Sequence, residues 1–449
     1  MKMLARAKVF FNAQGDGVKA PWRLFWVAFL VRLLYMTLAH TYRIRGYEDH
    51  FNFAWEAGRI GKALATGYGY ADPFSNIVLA HTGPTAWLPP LYPLLIAAVF
   101  QLFGIYTAAS AWVLLAINCA FSAVTALAVW EIGARCYGRR VAVWAGWLWT
   151  LHPAAMQYAV RWVWEMSLTT ALFAWVIVLA LRMRGIGSED KTKKSSSQVG
   201  QWSAFGLAWG LIALSNSTLL LFLPVCGVWI LMGSWHQPGR RLQGVRGATL
   251  AALIFLACIT PWTLRNYAVF HTFIPLRGNF GAELYMGDGP GSTGLLMVYD
   301  HPHVAPEQLK LYASLGEVRY VALRGALAKS FIKANPAHFL AICVKRIYFF
   351  WASVPSDQSW ATEAGRVLNY GSISLCGLMG LGLALSRKAP AAGLFAWAFL
   401  LLPLTYYLVT VHARFRHPLE PLICVLGVYL FQSAERKGFT SRGSGSVSE

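Results

Sequence analysis

Residues 21–58 read PWRLFWVAFLVRLLYMTLAHTYRIRGYEDHFNFAWEAG, an apolar segment followed directly by an acidic one. The apolar part, 21–40, has the length of about 20 residues that a helix needs to cross a bilayer. The part that follows gathers Glu48, Asp49 and Glu56, although the chain of 449 residues has only 19 acids. Carboxylates at the mouth of a membrane helix are costly, so this cluster predicts a functional site.

The composition is that of a membrane protein. The chain is 57% hydrophobic and 13% charged, with a mean hydropathy of +0.46, whereas a soluble protein is about 25% charged. Apolar stretches of roughly 17 to 25 residues recur along the sequence. They predict an all-α, polytopic transmembrane bundle of about ten spans. Two further apolar segments, 88–104 and 337–354, are interpreted as interfacial or re-entrant helices, and the expected range is ten to thirteen spans.

The basic residues indicate how the bundle is oriented. The net charge is +20, and Lys and Arg cluster in short loops such as ARCYGRR and PGRRLQGVR. This is the positive-inside pattern of cytoplasmic loops rather than a nucleic-acid surface. It predicts one membrane-embedded domain, 1–435, with external regions 43–106 and 264–366 and a flexible cytoplasmic tail, 436–449. The seven cysteines form no CxxC pair, which argues against a disulfide framework.

The first external region is expected to carry a helix along the membrane surface. Phe53, Glu56, Ile60 and Leu64 recur at helical spacing, and Gly67 follows as a stop. Such a helix presents Glu56, Arg59 and Lys62 to a cavity or to water. Pro89 and Pro90 can then start the next helix.

Further along, ionisable residues stand at the external ends of two predicted spans. Arg161 and Glu165 are four apart and are expected to share one helix face, either as part of a site or as a pair that satisfies itself. Arg414, Arg416 and His417 break the positive-inside rule, which a lipid-phosphate site would explain because guanidinium groups bind phosphate well. The alternative is an inverted topology in which these residues are ordinary cytoplasmic anchors.

The second external region opens with TPWTLRNYAVFHTFIPLRGNFGAELYMGDGP, a segment rich in Arg, Asn and Gly. Arg265 in it is a phosphate candidate, and Asn266 and Asn279, with His81 of the first region, are candidates for contact with a sugar or an acceptor. Asp300, His301 and His303 have a spacing that zinc can use, but a loop histidine pair usually binds no metal. We assign no metal ligand, and a divalent ion stays possible.

The order of these motifs resembles that of the GT-C glycosyltransferases, above all the bacterial lipid A aminoarabinose transferase and protein O-mannosyltransferase branch. The motifs are YEDHF, ALATGYG, PPLYPLL, Glu165 in RWVWEMSLTT, and PWTLRNY. The sequence departs from the family where Glu48 precedes Asp49, where Leu88 replaces a common lysine, and where the second acid is Glu rather than Asp.

The resemblance implies an integral-membrane enzyme that moves a sugar from a polyprenyl-phosphate donor to an envelope glycan, lipid or protein. Asp49 or Glu56 would be the general base beside Glu48, with Glu165 orienting it or the acceptor. Inversion without a covalent intermediate is expected. The site would face outward from the bacterial cytoplasmic membrane. A membrane transporter or a lipid-linked polysaccharide polymerase or ligase remains the alternative. The implied ligands of the donor phosphate are Arg59, Arg161, Arg265, Arg414, Arg416 and His417.

Overall fold

The computed structural model describes residues 20–45, 51–187, 198–233, 235, 238–355 and 359–434. Within these ranges the backbone forms seventeen α-helices and no β-strand, apart from one isolated bridge between Ala71 and Pro84. The predicted all-α class is therefore confirmed. Glu48, Asp49 and the tail 436–449 lie outside the described residues.

The helices follow one another with short connections. They are α1 (Trp22–Leu38), α2 (Trp55–Ala65), α3 (Leu91–Phe103), α4 (Ala108–Tyr137), α5 (Arg139–Leu151), α6 (Pro153–Val160), α7 (Met166–Met183), α8 (Gln198–Ala213), α9 (Leu223–Met232), α10 (Pro238–Phe270), α11 (Phe280–Asp288), α12 (Pro306–Leu315), α13 (Glu317–Ala334), α14 (Pro336–Trp351), α15 (Trp360–Ser386), α16 (Ala392–Leu408) and α17 (Glu420–Ala434). Short 3₁₀ segments occupy Ser217–Phe222, Val298–Asp300 and Ala413–Leu419.

Four of these helices, α4, α7, α10 and α15, are long and apolar enough to cross a membrane among the residues that the structure describes. The apolar part of α10 is only 11% buried inside the protein, and α1 exposes Trp26, Leu30 and Leu34. Exposed apolar faces of this size need a nonpolar surrounding. The molecule is therefore a polytopic helical membrane protein, and the count of ten to thirteen spans stays a prediction.

The interior lies where α4, α5, α7 and α17 meet. Trp149, Phe173 and Leu422 are buried there within one large apolar cluster. Arg32 of α1 is also fully buried and donates to the carbonyl oxygens of Trp149 and Thr150 at 2.9 and 3.0 Å. These carbonyls would otherwise be left unsatisfied at the end of α5, where Pro153 has no N–H to donate.

The expectation that Arg161 and Glu165 share a helix face is wrong. Helix α6 ends at Val160 and α7 begins at Met166, so the two residues lie in the connection. The chain leaves the helical path because it bonds to the first external region instead. Val163 N donates to Asn52 O at 2.8 Å, and Trp164 Nε1 donates to Phe51 O at 2.6 Å.

The first and second predicted external regions pack against each other. Glu317 at the start of α13 is buried and accepts hydrogen bonds from Thr85 Oγ1, Ala86 N and Tyr312 Oη at 2.5, 2.7 and 2.8 Å. Arg265 at the end of α10 donates to Thr85 O and to Tyr70 O at 2.6 and 2.7 Å. The carboxylate and the guanidinium thus fix the loop 70–86 between α10 and α13.

Helices α11 and α13 cross at two glycines. A Cβ added to Gly281 would lie 2.3 Å from Val321 O and 3.0 Å from Gly325 Cα. No side chain fits between the two backbones at this distance. The contact fixes α11, which carries Glu283 and ends at Asp288.

We therefore expect Gly281→Ala to destabilise the protein by about 1–3 kcal/mol, since overpacking forces the backbones apart. The matched control is Gly365→Ala in α15, where an added Cβ meets nothing within 4 Å. Alanine there should be neutral or should stabilise by about 0.5–1 kcal/mol. Thermal unfolding of the purified protein in detergent measures both, and equal effects of the two substitutions would contradict the close crossing.

Candidate functional site

Glu56 lies at the start of α2, with only 5% of its surface exposed. Its Oε1 lies 3.1 Å from Nε2 of His301, which belongs to the second external region. The ring of His301 is packed against Trp55 and Phe74, at centroid distances of 5.2 and 5.4 Å. Asp300, next in sequence, faces Arg324 at 3.4 Å. The carboxylate predicted from the first region is thus held by a histidine from the second.

The histidine determines the protonation of this carboxyl group. Burial by itself raises the pKa of Glu56, but the hydrogen bond with His301 and the charge of that ring outweigh burial and lower the pKa to about 2. Glu56 is therefore ionised throughout the physiological pH range.

Arg414 lies in the 3₁₀ segment before α17, among aromatic rings. Its guanidinium carbon is 3.8 Å from the ring centroid of Trp164 and 5.6 Å from that of Phe51. Its Nε and Nη1 are buried and have no hydrogen-bond partner in the part of the chain that the structure describes. Buried donors are rarely left unpaired, so Arg414 has two donors with which it can bind an anion.

The neighbouring His412 does not share this positive charge. Burial and the charge of Arg414 lower the pKa of His412 to about 3, so the imidazole is neutral at physiological pH. Its Nδ1 accepts a hydrogen bond from the backbone N of Arg414 at 3.2 Å, which orients the start of the 3₁₀ segment.

Glu165 is the second predicted carboxylate, and the structure brings it into the electrostatic neighbourhood of Arg414. Burial raises the pKa of Glu165, and the guanidinium groups of Arg414 and Arg277 oppose that rise. Conversely, burial lowers the pKa of Arg414, and Glu165, Glu56 and Glu283 act against that shift in this order. Glu56, Glu165 and Arg414 therefore form one interacting group, which we call the central charge cluster.

Arg277 and Glu283 belong to this neighbourhood, although the sequence analysis did not single them out. Arg277 donates from Nε to Asn279 Oδ1 at 2.5 Å and from Nη2 to Glu283 Oε1 at 3.3 Å. Asn279, a predicted contact residue, also donates to Glu283 Oε1 at 2.9 Å. The polar segment IPLRGN, which drew attention to Asn279, carried the signal for Arg277 as well.

Other predicted site residues have structural partners. Arg416 donates to the carbonyl oxygens of Trp351 and Tyr370 and to Ser374, and it lies 3.4 Å from Glu420. His417 Nδ1 lies 2.7 Å from the other oxygen of Glu420. Arg416 and His417 are both almost fully buried. Their proposed part in phosphate binding stays a prediction, and Arg416 Nε and His417 Nε2 are buried without a hydrogen-bond partner among the described residues.

The remaining candidates have other neighbours. Asn266 accepts from Arg265 and donates to Ile274 O. Arg161 is exposed beyond the end of α6. Arg59 lies 3.2 Å from His303. His81 lies 2.8 Å from Asp72.

Two of the side chains considered as zinc ligands contact other residues instead. His301 contacts Glu56, and Asp300 contacts Arg324. Among the described residues, no group of three or more His, Cys, Asp or Glu side chains is placed to hold one metal ion.

The overall fold has solved counterparts. The chain is similar to the archaeal oligosaccharyltransferase AglB from Archaeoglobus fulgidus in complex with an inhibitory peptide and a dolichol-phosphate. The identity is 14% and the TM-score 0.50, over 95% of this chain and 53% of that one. The chain is also similar to an Archaeoglobus fulgidus oligosaccharyltransferase in complex with Zn and sulfate. Here the identity is 13% and the TM-score 0.52, over 91% of this chain and 49% of that one. The chain thus spans about half the length of these structures.

These likenesses show that the chain shares the helical fold of these two oligosaccharyltransferase structures. Residues 88–264, less than half of the chain, also match the family model of dolichyl-phosphate-mannose-protein mannosyltransferase. ArnT from Cupriavidus metallidurans in the apo state has 14% identity over 88% of this chain and 76% of that one. Its TM-score of 0.34 is too low to establish a shared fold. No curated protein matches the chain by sequence.

The lowered pKa of Glu56 predicts a dependence of stability on pH. The pKa falls from 4.5 to about 2 on folding, which corresponds to about 3 kcal/mol at 1.36 kcal/mol per pH unit. Because the folded-state pKa is depressed, this contribution is fully present above about pH 4.5 and is lost as the pH falls toward 2.

Glu56→Gln should therefore lower the unfolding free energy by up to about 3 kcal/mol at pH 7, and the difference from wild type should shrink below pH 4.5. Thermal unfolding of both proteins at pH 7, 4 and 3 measures this difference in unfolding free energy. Glu307→Gln, an exposed carboxylate of α12, is the control. A difference in unfolding free energy that does not change with pH would contradict the lowered pKa of Glu56.

Proposed function

We propose that the protein is an integral-membrane glycosyltransferase, which transfers a sugar from a polyprenyl-phosphate donor to a hydroxyl group of a cell-envelope acceptor. The observation that carries this proposal is the central charge cluster. In it a half-buried arginine, whose buried Nε and Nη1 have no hydrogen-bond partner among the described residues, lies in the electrostatic field of the buried Glu56 and the half-buried Glu165. The GT-C fold, and the dolichol-phosphate bound by the similar oligosaccharyltransferase, support a lipid-phosphate donor.

In this proposal Arg414 binds the phosphate of the donor. Its Nε and Nη1 have no partner among the described residues, and each can donate a charge-assisted hydrogen bond to a phosphate oxygen. When the bond between the anomeric carbon and the phosphate breaks, negative charge grows on the leaving oxygens. A fixed cation at that place stabilises the transition state more than the ground state. Because His412 is neutral, the positive charge at this point comes from Arg414.

The attacking hydroxyl has to lose its proton to a carboxylate. A base works best when its pKa lies near the working pH, and Glu56, with a pKa of about 2, is a weak base. We therefore assign Glu56 to hold His301 and the start of α2. Asp49, two positions before Phe51 in the sequence, is our choice for the base. Glu165, whose pKa is raised by burial, is assigned to orient the acceptor hydroxyl.

One base and one phosphate site on opposite sides of the anomeric carbon are sufficient for a single displacement. No side chain then has to form a covalent intermediate, so the configuration of the sugar is inverted. We place the site on the external face of a bacterial cytoplasmic membrane, because this puts the basic loop clusters of the sequence on the cytoplasmic side.

Asp49→Asn should lower kcat for sugar transfer by about 100-fold or more, since general-base catalysis contributes about 10² to 10⁴. Glu56→Gln should act mainly through stability, and its loss of activity should be smaller once the folded fraction is corrected for. Radiolabelled sugar transfer from an undecaprenyl-phosphate donor to an envelope extract measures both. If Asp49→Asn keeps full activity, Asp49 is not the base.

The same assay separates the proposed function from its alternatives. A product that carries one added sugar per acceptor supports the transferase, whereas a product that carries a chain of sugars would indicate a polymerase. If the lipid donor is not consumed and a solute is taken up into vesicles, the protein is a transporter.

Arg414→Gln should raise KM for the lipid donor and lower kcat, and reduce kcat/KM by at least about tenfold, because one charge-assisted hydrogen bond is worth about 1.5–3 kcal/mol. Arg319→Gln, an exposed arginine of α13, removes the same charge elsewhere and should leave kcat/KM unchanged. Equal losses in both variants would show that only the overall charge matters.

A further inference from the structure

A polar cleft of about 240 Å³ opens beside α2, and Arg414 is not among the residues that line it. We call it the His81 cleft. The helix contributes positions 59, 62 and 66, which are three and four residues apart and so lie on one face. The lining of the cleft includes Arg59, Lys62, Thr66, Tyr68, Asp72 and His81.

The loop 71–84 presents His81 to this cleft in a fixed orientation. The loop is closed at its base by the bridge between Ala71 and Pro84, and Asp72 N donates to Gly83 O at 2.9 Å. Asp72 has a φ of +62°, which is strained for a residue with a side chain. Strain of this kind persists only where the surrounding contacts enforce it.

Those contacts come from the carboxylate of Asp72 itself. Its Oδ1 accepts from Thr82 N and Gly83 N at 2.7 and 3.0 Å, and its Oδ2 accepts from His81 Nδ1 at 2.8 Å. The ring of His81 also packs on Tyr68 at a centroid distance of 4.2 Å. The imidazole is thus oriented on one side, while 51% of its side chain stays exposed.

Two basic side chains, Arg59 and Lys62, line the cleft beside the imidazole of His81. Among the described residues that line it, Asp72 is the one carboxylate, and it already accepts three hydrogen bonds. Hydroxyl and amide groups of Thr66, Ser75 and Asn76 complete the lining. A concave site with converging basic donors attracts and binds anions.

The cleft is linked to the central charge cluster. Arg59 contacts His303 at 3.2 Å, the backbone N of His303 donates to His301 Nδ1 at 3.1 Å, and His301 contacts Glu56. Arg59 also lies one helical turn after Glu56 on α2. The cleft and the central charge cluster are thus joined by one chain of contacting side chains.

We propose that the His81 cleft binds a phosphate group and that this group belongs to the acceptor. Binding of the phosphate stands by itself, whereas its assignment to the acceptor rests on the proposed function. Lys62 and His81 are the ligands, and Asp72 is a positioning residue that holds the imidazole.

The test uses the full-length protein and two phosphate probes. Glycerol 3-phosphate, with glycerol as its uncharged match, is titrated calorimetrically to represent a soluble source. Phosphatidic acid in nanodiscs, with phosphatidylcholine as its match, represents a lipid source and is quantified by native mass spectrometry. The variants are Lys62→Gln and His81→Gln, and Lys310→Gln, an exposed lysine of α12, is the control. Thermal unfolding checks that each variant is folded.

We expect at least one probe to bind the wild type and to bind each variant about tenfold or more weakly, with no change in Lys310→Gln. The probe that responds identifies the source of the phosphate. Binding that is indifferent to Lys62 and His81, or absent for both probes, overturns the proposal. If His81→Gln does not fold, Lys62→Gln decides alone.

The binding assay contains no sugar donor, so the two proposals fail separately. Phosphate binding without any sugar transfer would contradict the glycosyltransferase and leave the cleft in place. Sugar transfer without phosphate binding would contradict the cleft alone. If both hold, Lys62→Gln should raise KM for the acceptor and leave KM for the lipid donor unchanged.

Discussion

The compensation of buried charge by residues from separate parts of the chain is the constraint on which this structure depends. Arg414 lies just before the last helix, Glu165 just before α7, and Glu56 at the start of α2. Glu56 is buried and the other two are half-buried, and charges withdrawn from water are costly without compensation nearby. They can be buried only when the loops that carry them come together, so the site is formed by the same packing that completes the fold.

The connections around this cluster are fixed by polar contacts rather than by long apolar faces. Glu317 and Arg265 hold the loop 70–86, and Arg346 of α14 forms a fully buried pair with Asp288 at 2.8 Å. Arg346 also donates to the carbonyl oxygens of Gly287 and Gly294, where the chain leaves α11. Breaking such a buried pair costs about 3–5 kcal/mol. This arrangement gives the irregular segments around the site a single conformation, which preorganised electrostatic catalysis requires.

Much of the fold could be predicted from the sequence because apolar segments of bilayer length are a strong signal. The all-α class, helix α2 and the start of α3 after Pro90 are confirmed by the structure. Tertiary contacts were not predictable in the same way. The spacing of Arg161 and Glu165 indicated one helix face, yet the bonds of residues 163 and 164 to the first external region break the helix there. Likewise, no spacing rule shows that His301 meets Glu56, or that Arg277 meets Glu283, since these contacts depend on how distant loops pack.

The most direct test of the account is to crosslink a photoreactive polyprenyl phosphate to the protein in membranes and to map the attachment site by mass spectrometry. If Arg414 holds the lipid phosphate, a reactive group beside the phosphate should label peptides containing residues 51–56, 162–166 or 412–416, and Arg414→Gln should suppress that labelling. Labelling confined to the lipid-facing side of α10, or unchanged by Arg414→Gln, would contradict the claim that the central charge cluster binds the donor.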